Sequence, residues 1–289
     1  MKGGTRMTFN DINIRDPFIL NENGTYYMYG TRGKNFGQGT AGFDVYRSAD
    51  LETWSAPQCC FDSAAFGYNR QVNWAPEVHK YRGAYYMFAT FTAESGRRGT
   101  YILKADDPCG PFRPWSDGPV TPRAWESLDG TLFVDDAGVP YLVFCHEHVQ
   151  ILDGTVEVLR LSDDLKAPVS EPKTLFRGSS LPGVKKRFRL RYVTDGPFLY
   201  RTKTGTLLLL WSTFIDGKYA QCVARSESGR IDGPFVHLDP LMTGDGGHGM
   251  VFRAGGKLYL ILHTPNRSGD ERPCLIELVD EGDKLDVRY

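Results

Sequence analysis

The chain has 289 residues, 41% of them hydrophobic and 13% aromatic, and a formal net charge of −1. That balance argues against nucleic acid or an anionic membrane as partner, and no apolar run approaches the roughly eighteen residues that span a bilayer. Six cysteines with no C-x-x-C or Cys/His ligand spacing argue against a structural zinc site.

Met1–Arg6 lacks the apolar core of a secretory signal. The protein is therefore expected in the cytoplasm if the chain starts here, and in the periplasm or outside the cell if a leader has been removed. Residues 7–14 alternate loosely and predict a strand added to one edge of the fold. From Asp16 onward one pattern is written five times: a polar residue, a short strand, a Gly-containing turn and a second strand. Asp16–Leu20 leads through Asn23-Gly24 to Thr25–Thr31, and Ala75–Val78 through Arg82-Gly83 to Tyr85–Thr90. Asp129–Phe133 leads through Gly138 to Tyr141–Phe144, Asp195–Tyr200 through Gly205 to Leu207–Thr213, and His248–Phe252 through Gly255-Gly256 to Leu258–Thr264.

A third strand follows in each unit, at 42–48, 99–105, 155–165, 220–226 and 273–279. A fourth is assigned to the segments after the next turns. The runs are rich in Tyr, Phe, Val, Leu and Thr and are bounded by Gly, Pro, Asn and Asp, which is strand grammar. The turn glycines recur 51 to 67 residues apart. Periods of this length built from short strands predict an all-β fold, a five-bladed β-propeller. No low-complexity linker interrupts it, so residues 1–289 are expected to form one domain. Cys145, Cys222 and Cys274 fall inside strands, as small buried apolar residues do.

In a propeller the inner strands line a central channel, and their equivalent starting positions converge at one mouth. Here those positions are read as Asp16, the Pro76-Glu77 pair, Asp129, Asp195 and His248. Any single Asp before Gly or Pro is a good turn residue. Three at equivalent places instead predict a cluster of carboxylates that raise one another's pKa, and paired carboxyls are the equipment of glycoside hydrolysis.

With these motifs the sequence resembles the family 43 glycoside hydrolases from Arg15-Asp16-Pro17 to His248-Gly249. The resemblance implies a five-bladed propeller, an inverting mechanism and arabinofuranosyl or xylosyl linkages of plant-type polysaccharides, as in an α-L-arabinofuranosidase or β-xylosidase acting at chain ends or branches. It implies Asp16 as general base, Asp129 as the carboxylate that orients and tunes the acid, and Asp195 as the acid. It also implies Trp74 and Glu77, in Trp74-Ala75-Pro76-Glu77, as sugar contacts. His248 matches a channel histidine that lies beside a bound cation, often calcium, in some members, and no organic cofactor is implied.

The family's usual residue at position 195 is Glu, one C–C bond longer, about 1.5 Å. This departure motivates an alternative, a non-catalytic or altered-activity carbohydrate-binding propeller. Glu126, Glu147 and Glu77 are the candidate replacements for the acid. The Cys145-His146-Glu147-His148 stretch is, however, read first as a polar surface cluster at a strand end. Trp74, Phe36, Trp125 and Phe214 are candidates to stack on a sugar ring, Trp74 foremost, and Arg267 is a candidate to bind hydroxyls beside His248. Lys185–Arg191 is read as a solvated basic loop.

Overall fold

The computed structural model describes residues 6–33, 41–68, 72–92, 96–184 and 191–288. Among the described residues, twenty strands form five four-stranded antiparallel sheets, each built from consecutive chain. The first sheet holds β1 (Ile14–Glu22), β2 (Thr25–Arg32), β3 (Phe43–Ser48) and β4 (Gln58–Phe61). The second holds β5 (Asn73–Tyr81), β6 (Ala84–Thr92), β7 (Arg98–Ala105) and β8 (Arg113–Pro114). The third holds β9 (Ser127–Val134), β10 (Pro140–His146), β11 (Thr155–Arg160) and β12 (Lys173–Arg177). The fourth holds β13 (Asp195–Arg201), β14 (Leu207–Ile215), β15 (Lys218–Ser226) and β16 (Phe235–His237), and the fifth β17 (Gly247–Ala254), β18 (Lys257–Thr264), β19 (Arg272–Asp280) and β20 (Leu285–Val287).

The inner strands β1, β5, β9, β13 and β17 neighbour one another in a closed ring. The predicted five-bladed propeller is therefore the observed fold, including a fourth strand in every blade. Four hairpins close through two-residue loops at Asn23-Gly24, Arg82-Gly83, Asp216-Gly217 and Gly255-Gly256, with positive φ at both residues. That is the turn whose twist matches antiparallel strands.

Second strands are apolar on both faces because each blade is sandwiched between two others. In β14, Leu207, Leu209 and Trp211 pack toward the third blade with Val143 and Val156, while Leu208 and Leu210 pack toward the fifth with Leu260 and Leu262. Alternation survives, but both sides are core, so the run reads as continuous hydrophobicity.

The edge strand expected at residues 7–14 does not form. Met7 makes one bridge to Trp54, and Phe9–Asp11 is a short 3-10 turn in which Asp11 accepts the Thr8 N–H. The first and last blades instead meet through side chains. Asn13 donates to the Glu271 carbonyl at 2.7 Å, and Arg15 pairs with the wholly buried Glu271 at 2.8 Å.

Candidate active site

Every inner strand carries a β-bulge at the same height. The residue pairs that face a single partner residue are Asp16-Pro17, Ala75-Pro76, Asp129-Gly130, Gly196-Pro197 and His248-Gly249. The first residue of each has positive φ, between 45° and 57°. The second is Pro or Gly, which suits an insertion whose amide has no ladder partner.

The first bulge N–H of each blade is satisfied by a side chain of the blade before it. Ala75 donates to Thr31 Oγ1 (2.7 Å), Asp129 to Thr90 Oγ1 (3.0 Å), His248 to Ser212 Oγ (2.7 Å) and Asp16 to His263 Nδ1 (3.2 Å). The acceptors stand at matching places on the second strands, opposite the residue preceding the bulge. In the third blade that place is Cys145, and the carboxylate of Asp129 takes over, with Oδ2 accepting from Gly196 N–H at 3.0 Å. Nothing in strand periodicity announces this ring. A hydroxyl or imidazole recurring near the end of four of the five second strands is its available signal.

The register corrects the predicted equivalence of the inner-strand residues. Asp16, Ala75, Asp129, Gly196 and His248 are equivalent, whereas Asp195 stands one place earlier with Arg15, Trp74, Leu128 and Gly247. Glu77 lies two places beyond the bulge residue, because the insertion at Ala75-Pro76 shifts the strand. It is buried and paired with His79 at 3.1 Å.

Asp16, Asp129, Asp195, His248 and Trp74 nevertheless meet around one cavity of ≈ 230 Å³, together with Arg15, Arg98, Glu147, His148, Phe214, Tyr219 and Asn266. Glu77 and Arg267 do not line it, and Arg267 is instead ion-paired with Asp270. Trp125 stacks on His146 at 4.0 Å. Phe36 and Lys185–Leu190 lie outside the described residues. Glu147 is not on the surface as expected: the turn after β10 folds inward, leaving it 5% exposed on the cavity wall, where Arg98 holds it. Arg98 also donates to Glu126 at 3.1 Å and lies over the Trp74 ring at 5.5 Å.

The three aspartates have different electrostatic surroundings. Burial alone would raise the Asp16 pKa, but His248 at 3.1 Å, the neighbouring Arg15 and the Thr31 hydroxyl at 2.7 Å hold it below the usual carboxylate range. His263 adds little to this near neutrality. Burial pushes it down to about 3, and its bare Nδ1 accepts the Asp16 amide, while Nε2 lies 3.3 Å from Asn266 Oδ1 as its donor.

Asp129 and Asp195 are both raised, chiefly by burial, with Asp16 and, for Asp129, Asp195 adding repulsion. Two such carboxyls titrate as a pair that retains a proton to higher pH than a lone carboxylate. Burial, then Asp195 and Glu126 against the pull of Arg98, pushes Glu147 up to about 7. For His248, burial is overcome by Asp16, Asp129 and Asp195, and its pKa rises.

Among the described residues no group of three or more His, Cys, Asp or Glu converges as a metal site. His248 Nδ1 is engaged by Asp16 at 3.1 Å and faces Asp129 at 3.7 Å. One imidazole committed in this way does not fit a protein-ligated calcium site, which takes six to eight oxygens.

A propeller whose channel mouth holds a carboxylate set to stay ionised beside a carboxyl pair set to share a proton is built like a glycoside hydrolase. A model of the Glycosyl hydrolases family 43 matches residues 9–280, and the chain belongs to this family. It is similar to the endo-arabinase from Bacteroides thetaiotaomicron VPI-5482, with 37% identity, a TM-score of 0.88, and coverage of 96% of this chain and 99% of that one. An endo-1,4-beta-xylanase from the same organism shares 26% identity at a TM-score of 0.80, covering 99% of this chain and 97% of its own. CoXyl43, a GH43 beta-xylosidase/alpha-arabinofuranosidase from a compost microbial metagenome, shares the fold at a TM-score of 0.77 and 16% identity, with 99% and 98% covered.

Proposed function

We propose that the protein is an inverting glycoside hydrolase acting on arabinofuranosyl or xylosyl linkages of plant-type polysaccharides or oligosaccharides. The observation that carries this reading is the convergence of Asp16, Asp129 and Asp195 on one cavity, where His248, Arg15 and Thr31 favour the Asp16 anion while burial favours the protonated form of the Asp129–Asp195 pair. Environments that push carboxyl groups apart in this way assign base and acid. The family membership supports the reaction type. Its 37% identical relative is an endo-arabinase, which puts arabinofuranosyl linkages first among substrates.

In this mechanism Asp16 takes a proton from water as the water oxygen bonds to the anomeric carbon. Asp195 gives its proton to the departing glycosidic oxygen, so the C–O bond breaks without releasing an alkoxide. Asp129 steadies the acid through the backbone, because its carboxylate accepts the N–H of Gly196, the residue joined to Asp195. Trp74 offers an aromatic face to the sugar. No cofactor takes part in these steps.

Hydrolysis by wild type and Asp16→Asn, across aryl α-L-arabinofuranoside and β-D-xyloside, arabinan and xylan, tests the reading. The substitution is expected to cut turnover by roughly 10²–10⁴-fold with folding intact. Full activity in Asp16→Asn would remove the base assignment. Binding of sugar by wild type without turnover would identify a carbohydrate-binding propeller instead.

A further inference from the structure

We propose that Tyr219 is the positioning residue that allows an aspartate at position 195 to serve as the acid, an inference that rests on the acid assignment above. Half of the residues lining the cavity come from inner strands, but Tyr219 comes from the third strand of its blade, β15. The way in is opened by a missing side chain. Gly247 is the fifth-blade counterpart of Arg15, Trp74, Leu128 and Asp195, all of which line the cavity. A Cβ on Gly247 would sit 2.8 Å from two ring carbons of Tyr219. The tyrosine ring therefore occupies the place that a fifth inner-strand side chain would otherwise take.

The ring is fixed on several sides. It stacks on His263 at 5.6 Å and 25°, rests against Phe214 at 5.1 Å, and its backbone N–H donates to Asp245 Oδ1 at 3.2 Å. Its hydroxyl donates to Asp195 Oδ2 at 3.1 Å. Burial, with Asp195, Asp16 and Asp129 nearby, pushes the phenol well above 10, so it remains a donor across the working range.

An oxygen that accepts this bond is the carbonyl oxygen of a protonated carboxyl. The transferable proton is thereby assigned to Oδ1. A short side chain with one oxygen anchored is confined to a single presentation of that proton, whereas glutamate brings a further torsion. The other groups facing Asp195 are His248 from β17 and His148 beyond β10, which favour its anion, and Asp16, Asp129 and Glu147, whose charges oppose it.

The test measures kcat, KM and pH profiles of wild type, Tyr219→Phe and Asp195→Asn on two glycosides of the preferred sugar, one with a dinitrophenyl and one with an alkyl leaving group. Loss of positioning should lower kcat of Tyr219→Phe on the alkyl glycoside by roughly 10–100-fold, with KM little changed. The dinitrophenyl glycoside, which needs no acid, should be turned over at close to the wild-type rate. Removing a donor to the carboxylate raises the acid's pKa, so the alkaline limb should move to higher pH.

Equal losses on both leaving groups, or an unmoved alkaline limb, would overturn the role of Tyr219. If Asp195→Asn keeps its rate on the alkyl glycoside, the acid assignment itself fails, and the two failures are thereby distinguished. Should Tyr219→Phe not fold, Asp195→Glu carries the test, because its longer carboxyl meets the fixed hydroxyl. Its kcat on the alkyl glycoside should fall below wild type, and a rise would overturn the proposal.

Discussion

At Gly196, two demands fall on one residue: φ is 50°, and a Cβ would lie 2.6 Å from His248 Cδ2. The same residue supplies the N–H held by Asp129. Gly196→Ala is therefore expected to displace His248 and loosen the acid-bearing peptide, lowering kcat/KM by about 100-fold. Steady-state kinetics of the folded variant check this, and wild-type kinetics would show that the close approach has no consequence. The other four bulge residues tolerate the left-handed region without glycine, and three of them are Asp or His, residue types enriched there. Asp16 and Asp129 thus combine the chemical role proposed for them with a backbone conformation they accept readily.

The five blades are joined at the mouth by the chain of bulge N–H groups and preceding-blade acceptors. Thr90→Val keeps the shape of the side chain but leaves the buried Asp129 N–H without its partner. The expected cost is about 1–3 kcal/mol of stability, read from denaturant unfolding, together with a fall in activity as Asp129 shifts. An unchanged midpoint and unchanged activity would mean that another acceptor replaces the hydroxyl. The bulge pattern is only partly legible in the sequence. Pro17, Pro76 and Pro197, and the glycines at 130 and 249, mark the insertions. The single-residue offset of Asp195 was hidden, because Asp before Gly-Pro resembles Asp before Pro until the ladder is counted.

For the whole molecule, the site's opposed protonation preferences predict the pH dependence of hydrolysis. Under the roles proposed above, hydrolysis requires Asp16 ionised and Asp195 protonated. The rate is therefore lost as pH falls through the lowered pKa of Asp16, and again as pH rises through the raised pKa of Asp195. The kcat/KM profile should be a bell whose acid limb lies below the ordinary aspartate value and whose alkaline limb lies above it. A rate that climbs steadily with pH would contradict the protonated acid. His248, raised by its carboxylate neighbours, supports the acid limb by staying cationic while Asp16 is charged.

Strand grammar, turn chemistry and the five-fold repeat were sufficient for the architecture. Each is a short-range property: alternation, positive-φ turn residues and bounded apolar runs act within one hairpin. The same local repeat brought Asp16, Asp129, Asp195, Trp74 and His248 to one mouth, because equivalent inner-strand ends of a closed ring must converge. What only the tertiary structure decided depends on contacts between blades. Glu147 faces the cavity because the turn after β10 folds inward and Arg98, from the second blade, holds it there. Glu77 stands beyond a bulge that shifts its register, and it pairs with His79 instead of lining the cavity. Tyr219 reaches Asp195 only because a glycine 28 residues later in the chain leaves the space for its ring. Side chains brought together across blades are separated in sequence by lengths unrelated to strand periodicity, so no local pattern encodes their meeting.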